Sequence, residues 1–114
     1  MSRGEIWRVE FDPVVGREPN KVRPALIVGR TSLTKYAMSA GTSVTVVPLN
    51  RNVAKVFDFQ VLVPAGTGGL AWDSKAQAEQ IRTISTKRLV EQLGAVNEEV
   101  SASVDEAIRV YLGL

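Results

Sequence analysis

Arg23-Pro24-Ala25-Leu26-Ile27-Val28 opens on a permanent positive charge and continues as a run that is apolar on both faces. Such a run reads as a short strand over residues 24–28, buried on both sides. Pro24 is acceptable at its start, where the missing N–H matters least. A buried strand holds its first residue in a fixed place. The loop ahead of it, residues 12–22, carries Gly16 and Pro19 together with Arg17, Glu18, Asn20 and Lys21. Before the loop, apolar Trp7, Val9 and Phe11 alternate with polar Arg8 and Glu10, the pattern of a half-buried strand.

Working toward the C-terminus, residues 32–38 read as a short helix and 43–49 as a β-rich strand, in which Pro48 marks an edge, a bulge or the strand end. Asn50-Arg51-Asn52 reads as a turn. Phe57, Phe59, Val61 and Val63 share one face of a further strand, with Asp58 and Gln60 on the other, and both phenylalanines read as core. Gly66-Thr67-Gly68-Gly69 reads as a flexible loop, Trp72-Asp73-Ser74 closes a short strand, and 76–84 is a polar strand. Ser85 or Thr86 caps a short helix through Leu89, and Gly94 ends or interrupts the next segment. Trp7 and Trp72 read as core or interface residues. Asn97 is a good N-cap, Glu98 and Glu99 suit the positive end of a helix dipole, and Val100, Val104, Ala107, Ile108 and Tyr111 recur at helical spacing. Short strands first and an amphipathic helix last suggest a mainly β, α+β fold: a small, strongly curved antiparallel barrel with a C-terminal packing helix. No repeat, linker or low-complexity tract divides residues 1–114, so a single domain is expected.

Composition narrows the chemistry. The 114 residues are 45% apolar and 23% charged, an ordinary globular mixture, and the net charge of +2 leaves any basic surface to be local. There is no cysteine and no histidine. This excludes disulfides, thiolate metal sites and cysteine nucleophiles, and removes the usual general acid–base side chain. Asp and Glu show no clustered ligand spacing, so neither a metal nor a cofactor is expected. No apolar signal region or membrane-length run is present, and a cytoplasmic protein is expected.

Arg23 then leads the candidates, because its planar fork suits phosphate; the plainer reading is a surface arginine paired with Glu18. Arg17, Glu18, Asn20 and Lys21 form either a solvated loop or a lid over a polyanion. Asn50, Arg51 and Asn52 are either a turn or a set of donors for ribose and base edges, with Lys55 adding charge and Phe57 or Phe59 offering a stacking face. Gln77, Glu79, Gln80 and Arg82 either edge a sheet or line a groove that reads single-stranded bases. Gly68-Gly69 lacks the spacing of a phosphate-binding loop.

Gly-Glu-Ile-Trp at 4–7, Asp-Pro at 12–13, Gly-x-Glu at 16–18, Arg-Pro-Ala-Leu-Ile-Val at 23–28, Val-Val-Pro-Leu at 46–49 and Glu-Gln-Ile-Arg-Thr-Ile at 79–84 follow one another in order. With these pieces the chain resembles the MazF/PemK family of toxins from residue 2 to the C-terminus, and is most similar to its actinobacterial type. The resemblance implies an SH3-like barrel, a homodimer, and a metal-independent, sequence-specific endoribonuclease held in check by a MazE-type antitoxin. It implies single-stranded RNA (mRNA, tRNA or rRNA) as substrate. It places the family's catalytic arginine on Arg23 and its loop glutamate on Glu18. Beside these, residue type and position make Arg17, Asn20, Lys21, Arg51, Asn52, Lys55, Gln77, Gln80 and Arg82 the candidates for RNA contact. The family's second catalytic residue, a Thr or Ser after Val-Val-Pro-Leu, falls on Asn50, which has no hydroxyl. Three readings of that departure stay open: Asn50 positions the phosphate while another group handles the proton, the chain is a weak or inactive RNA-binding homologue, or the residue is an engineered detoxifying change. Gyrase-binding toxins of the CcdB type share the barrel, and the Tyr111-Leu112-Gly113-Leu114 end is weakly similar to theirs.

Overall fold

A computed structural model describes residues 2–11 and 22–114. Seven strands and two helices follow in the order β1 (Glu5–Glu10), β2 (Val22–Ile27), α1 (Thr31–Ala40), β3 (Ser43–Asn50), β4 (Gln60–Val63), β5 (Ser74–Gln77), β6 (Arg82–Ser85), β7 (Leu89–Ala95) and α2 (Glu98–Leu112). All strand pairings are antiparallel, in the order β4-β5-β3-β2-β1-β7, with β6 also on β3. The result is the expected barrel-like α+β fold.

The Arg-Pro strand sits at the centre of it. Ala25, Leu26 and Ile27 are all buried because each face of the sheet has its own core. Leu26 joins Ile6, Val47, Leu49, Val63 and Val104 of α2 on one side. Ala25 and Ile27 join Val9, Val44, Val46 and Ala37 of α1 on the other. Alternating side chains of one strand thus enter two cores, each buried Leu, Ile or Val contributing about 1.5–3 kcal/mol through the area taken from water.

α2 begins as its residues require: the Asn97 side chain accepts a hydrogen bond from the Val100 N–H at 2.9 Å, and Glu98 and Glu99 occupy the first turn. Arg3 fastens it to the sheet. Its Nε donates to the Val28 carbonyl at 3.0 Å, and its two terminal nitrogens grip the Asp105 carboxylate on α2. The hydrogen bond to Asp105 raises the Arg3 pKa further, against the opposing effect of partial burial.

β3 is the organising strand. One edge pairs with β2 through Val46, Val47 and Pro48. The other edge pairs with β6 along Ser43–Val46 and with β5 at Leu49 and Asn50. Between those two partners the second edge of β3 has a gap, and Pro48, with no N–H to leave unpaired, stands in it. Between β5 and β6 the chain steps across this gap in a 3₁₀ turn, Ala78–Gln80.

Several expectations need correction. The run 76–84 is not one polar strand but two short strands joined by that turn. Residues 57–60 form a turn, closed by the Gln60 N–H on the Phe57 carbonyl at 3.0 Å, so the strand starts only at Gln60: Val61 and Val63 share the core side as expected, but Phe57 and Phe59 are not part of it. Phe57 is 43% exposed rather than core, and its ring stacks on Phe59 at 5.2 Å. Trp72 is exposed and precedes β5 rather than closing a strand. Ser85 caps only a 3₁₀ turn, Thr86–Arg88, after which the chain runs on as β7. The glycine loop 66–69 contains a 3₁₀ turn at Thr67–Gly69 that is packed backbone to backbone against β7. A Cβ on Gly69 would meet the Leu93 carbonyl oxygen at 2.1 Å, and one on Gly94 would meet Gly68 at 2.6 Å. The segment after β4 therefore touches the far edge strand β7, and the curl of the sheet closes there by glycine packing.

Candidate functional site

The gap beside β3 opens into a cleft of about 330 Å³ lined by Phe11, Arg23, Pro48, Asn50, Gln77, Gln80 and Arg82. Most of the lining residues come from the ends of elements described above. Arg23 lies near the start of β2, paired with Val9 of β1. Asn50 ends β3, with Lys75 of β5 opposite. Gln77 ends β5, Gln80 ends the 3₁₀ turn, and Arg82 begins β6 opposite Val46. Phe11 forms an apolar wall and is kept in place by Arg88, whose Nη1 donates to the carbonyls of Glu10 and Phe11 at 3.1 and 3.0 Å. The Arg82 guanidinium lies 5.3 Å from the centre of the Phe11 ring.

Among the described residues the lining carries two guanidinium groups, three carboxamides and no carboxylate. It is a surface of fixed positive charge and hydrogen-bond donors, suited to an anion that also presents base or sugar acceptors. Asn50 is oriented by its own turn: its Oδ1 accepts the Asn52 N–H at 2.8 Å, so the amide hydrogens are the groups it has left to donate. The polarity of this orientation follows from the backbone N–H, which fixes where the oxygen must be.

Five of the sequence candidates, Arg23, Asn50, Gln77, Gln80 and Arg82, therefore meet in one place. Arg51, Asn52 and Lys55 are not among the lining residues. The Arg51 guanidinium lies 4.0 Å over the Trp72 ring, Asn52 caps the Ala54 N–H at 3.2 Å, and the Lys55 ammonium lies 4.6 Å over Phe57. Glu79 is absent from the lining too; its Oε2 accepts from Gln60 Nε2 at 2.6 Å, while its Oε1 is buried without a hydrogen-bond partner among the described residues. Gln60 in turn accepts the Phe57 N–H at 3.1 Å, so Glu79 and Gln60 tie the 51–59 loop to the turn that carries Gln80. Arg17, Glu18, Asn20 and Lys21 lie outside the described residues. Sequence reasoning missed Phe11 and Pro48 as lining residues. The alternation of Trp7, Val9 and Phe11 was the available signal for the first, and a proline inside an otherwise regular strand for the second.

Among the described residues no group of three or more Asp or Glu side chains is arranged to hold a metal ion, and no helix is long and apolar enough to cross a membrane.

Residues 2–112 match the family described as the PemK-like, MazF-like toxin of type II toxin-antitoxin systems. The chain is 49% identical to the endoribonuclease MazF9 of Mycobacterium tuberculosis, with 100% of this chain and 98% of that protein aligned. It is 30% identical to the endoribonuclease EndoA of Bacillus subtilis, over 100% of this chain and 96% of the relative. Its fold is similar to that in a MazE–MazF crystal structure from Deinococcus radiodurans, with a TM-score of 0.79, 26% identity, and 100% and 96% of the two chains covered.

Proposed function

The chain belongs to the PemK-like, MazF-like toxin family of type II toxin-antitoxin systems, and we propose on that footing that it is an endoribonuclease cutting single-stranded RNA in the cleft beside β3. The observation that carries this reading is the meeting of Arg23 and Asn50, from different strands, in one donor-rich cleft with Arg82, Gln77 and Gln80. The names of MazF9 and EndoA support the activity.

The reaction we infer needs no protein nucleophile. The ribose 2′-OH attacks the adjacent phosphorus; a 2′-O–P bond forms, the P–O5′ bond breaks, the 2′ proton leaves and O5′ gains one. The products are a 2′,3′-cyclic phosphate and a 5′-OH end. What the protein supplies is alignment and stabilisation of charge on the phosphate oxygens. Arg23 does the second, through the planar fork of N–H donors that its guanidinium turns toward phosphate oxygens. Asn50 donates to the scissile phosphate or the 2′ oxygen. Glu18 accepts the proton or positions Arg23. Arg82, with Lys55 outside the cleft, holds neighbouring phosphates, Arg51 contacts the RNA beside Asn50, and Gln77 and Gln80 face the bases. Arg17, Asn20, Lys21 and Asn52 complete the RNA contacts. Unpaired RNA is the substrate because a duplex hides base edges in a deep, narrow major groove. The protein works as a homodimer in the cytoplasm, and its inhibitor is a MazE-type antitoxin, a reading supported by the MazE–MazF structure.

Incubation with a long RNA in excess EDTA tests the proposal. We expect cleavage to persist and to leave 5′-OH ends; a strict requirement for magnesium would sink it. Position 50 is tested separately. Asn50→Thr is expected to cut at least as fast as the parent chain, because a threonine hydroxyl can accept the same Asn52 N–H and still donate. Asn50→Ala loses both functions, and its cleavage rate is expected to fall by about 10²-fold, the usual cost of one oxyanion donor. A large loss in Asn50→Thr, measured on the same RNA, shows that the carboxamide has a role a hydroxyl cannot fill.

A further inference from the structure

We propose, on the strength of the nuclease reading above, that Trp72 and the Arg51 guanidinium form a stacking seat for a nucleobase flanking the scissile phosphate. Trp72 remains 58% exposed although Arg51 covers it at 4.0 Å. A large planar ring left in water beside a cation is a poor structural element but a good receptor for a flat base.

Its position fits that task. Arg51 follows Asn50 directly in the chain, and Asn50 lines the cleft. Trp72 lies just ahead of Lys75, the residue paired with Asn50 across β3 and β5, so both halves of the seat stand on the rim at the Asn50 corner. The segment is also built to hold still. The Ser74 hydroxyl donates to the Trp72 carbonyl at 3.1 Å, and the Asp73 carboxylate accepts the Ala65 N–H at 2.8 Å. Phe57, the other exposed aromatic ring near the 51–59 loop, is engaged by Phe59 at 5.2 Å and by Lys55 at 4.6 Å. Trp72 is the better platform of the two.

The experiment uses the whole chain. Cut sites are first mapped with the parent protein on a long RNA. A fluorescein-labelled 2′-O-methyl oligonucleotide spanning one cut, which lacks the attacking hydroxyl, is then bound by the parent protein, Trp72→Ala and Trp72→Phe, with each base near the cut removed in turn. In the parent protein, removing one flanking base is expected to weaken binding about tenfold. Trp72→Ala loses the same affinity and becomes indifferent to that base, while Trp72→Phe keeps most of both. If Trp72→Ala responds to every missing base as the parent does, the seat is not there, although the nuclease reading stands wherever the parent protein cuts. If the parent protein cuts no RNA, the nuclease reading fails, and this seat fails with it.

Discussion

Arg23→Ala is expected to lower RNA cleavage by roughly 10²–10³-fold while leaving the fold intact. In the proposed reaction, charge builds up on the non-bridging phosphate oxygens as the 2′ oxygen closes on phosphorus. Arg23 is the cleft cation that the buried part of β2 holds still: the residue itself is exposed, but Ala25, Leu26 and Ile27 behind it are buried without slack. Because Arg23 contributes little to the core, its loss should change stability by less than about 0.5 kcal/mol. Arg23→Lys should recover only part of the rate, since an ammonium keeps the charge but not the planar fork that meets two oxygens at once. Single-turnover cleavage of a labelled RNA, beside a thermal melt of each variant, separates the two effects. Undiminished cleavage by a folded Arg23→Ala protein would place the chemistry elsewhere.

The largest effect on stability is expected at Gly69. Its φ of +80° already disfavours any side chain, and a Cβ there would stand 2.1 Å from the Leu93 carbonyl oxygen and 2.8 Å from its carbon. Neither atom belongs to a flexible side chain that can turn aside. Gly69→Ala must therefore push the 3₁₀ turn off β7 and open the seam of the curled sheet, at a cost of about 3 kcal/mol or more and a fall in melting temperature of roughly 10 °C or more. Gly66 supplies the control. Its φ of +87° is similar, but a Cβ there meets nothing within 4 Å. Gly66→Ala should cost only the backbone strain, about 1–2 kcal/mol. Equal losses for the two variants would show that close packing is not what the seam depends on.

Much of this arrangement was legible before any coordinates, for reasons that particular residues make plain. The Arg-Pro strand announced itself because three apolar residues in a row have to enter two cores. The last helix did so because Asn97 and the spacing of Val100, Val104 and Ala107 agree with each other. Arg23, Asn50, Gln77, Gln80 and Arg82 were nameable as candidates from residue type, turn position and family resemblance. Their meeting was not, since it depends on β5 and β6 sharing one edge of β3, a pairing between distant segments that leaves no local mark. The strand does not reach back to Phe57, because the Phe57–Gln60 turn precedes it and Gln60 is buried for its hydrogen bonds to Phe57 and Glu79. β7 escaped notice because its register against β1 shifts twice, between Ile6 and Trp7 and between Arg8 and Val9, which breaks the period of two that betrays a strand. Trp72 reads from its residue type as core or interface, and its exposure removes only the core half of that reading.

The parting of β5 from β6 along β3 has a consequence for how such a protein can change over time. The cleft exists because two strands leave a space between them, not because its lining side chains carve one out. Most of those side chains sit at strand ends and on a turn, outside the two buried clusters that hold the sheet together. A lineage that keeps the parting inherits an empty vessel at no further cost to its core, and can exchange the contents residue by residue. Position 50 lies outside both clusters, so a residue there can be exchanged, and preference for a target gained or lost, while the scaffold stays as it was.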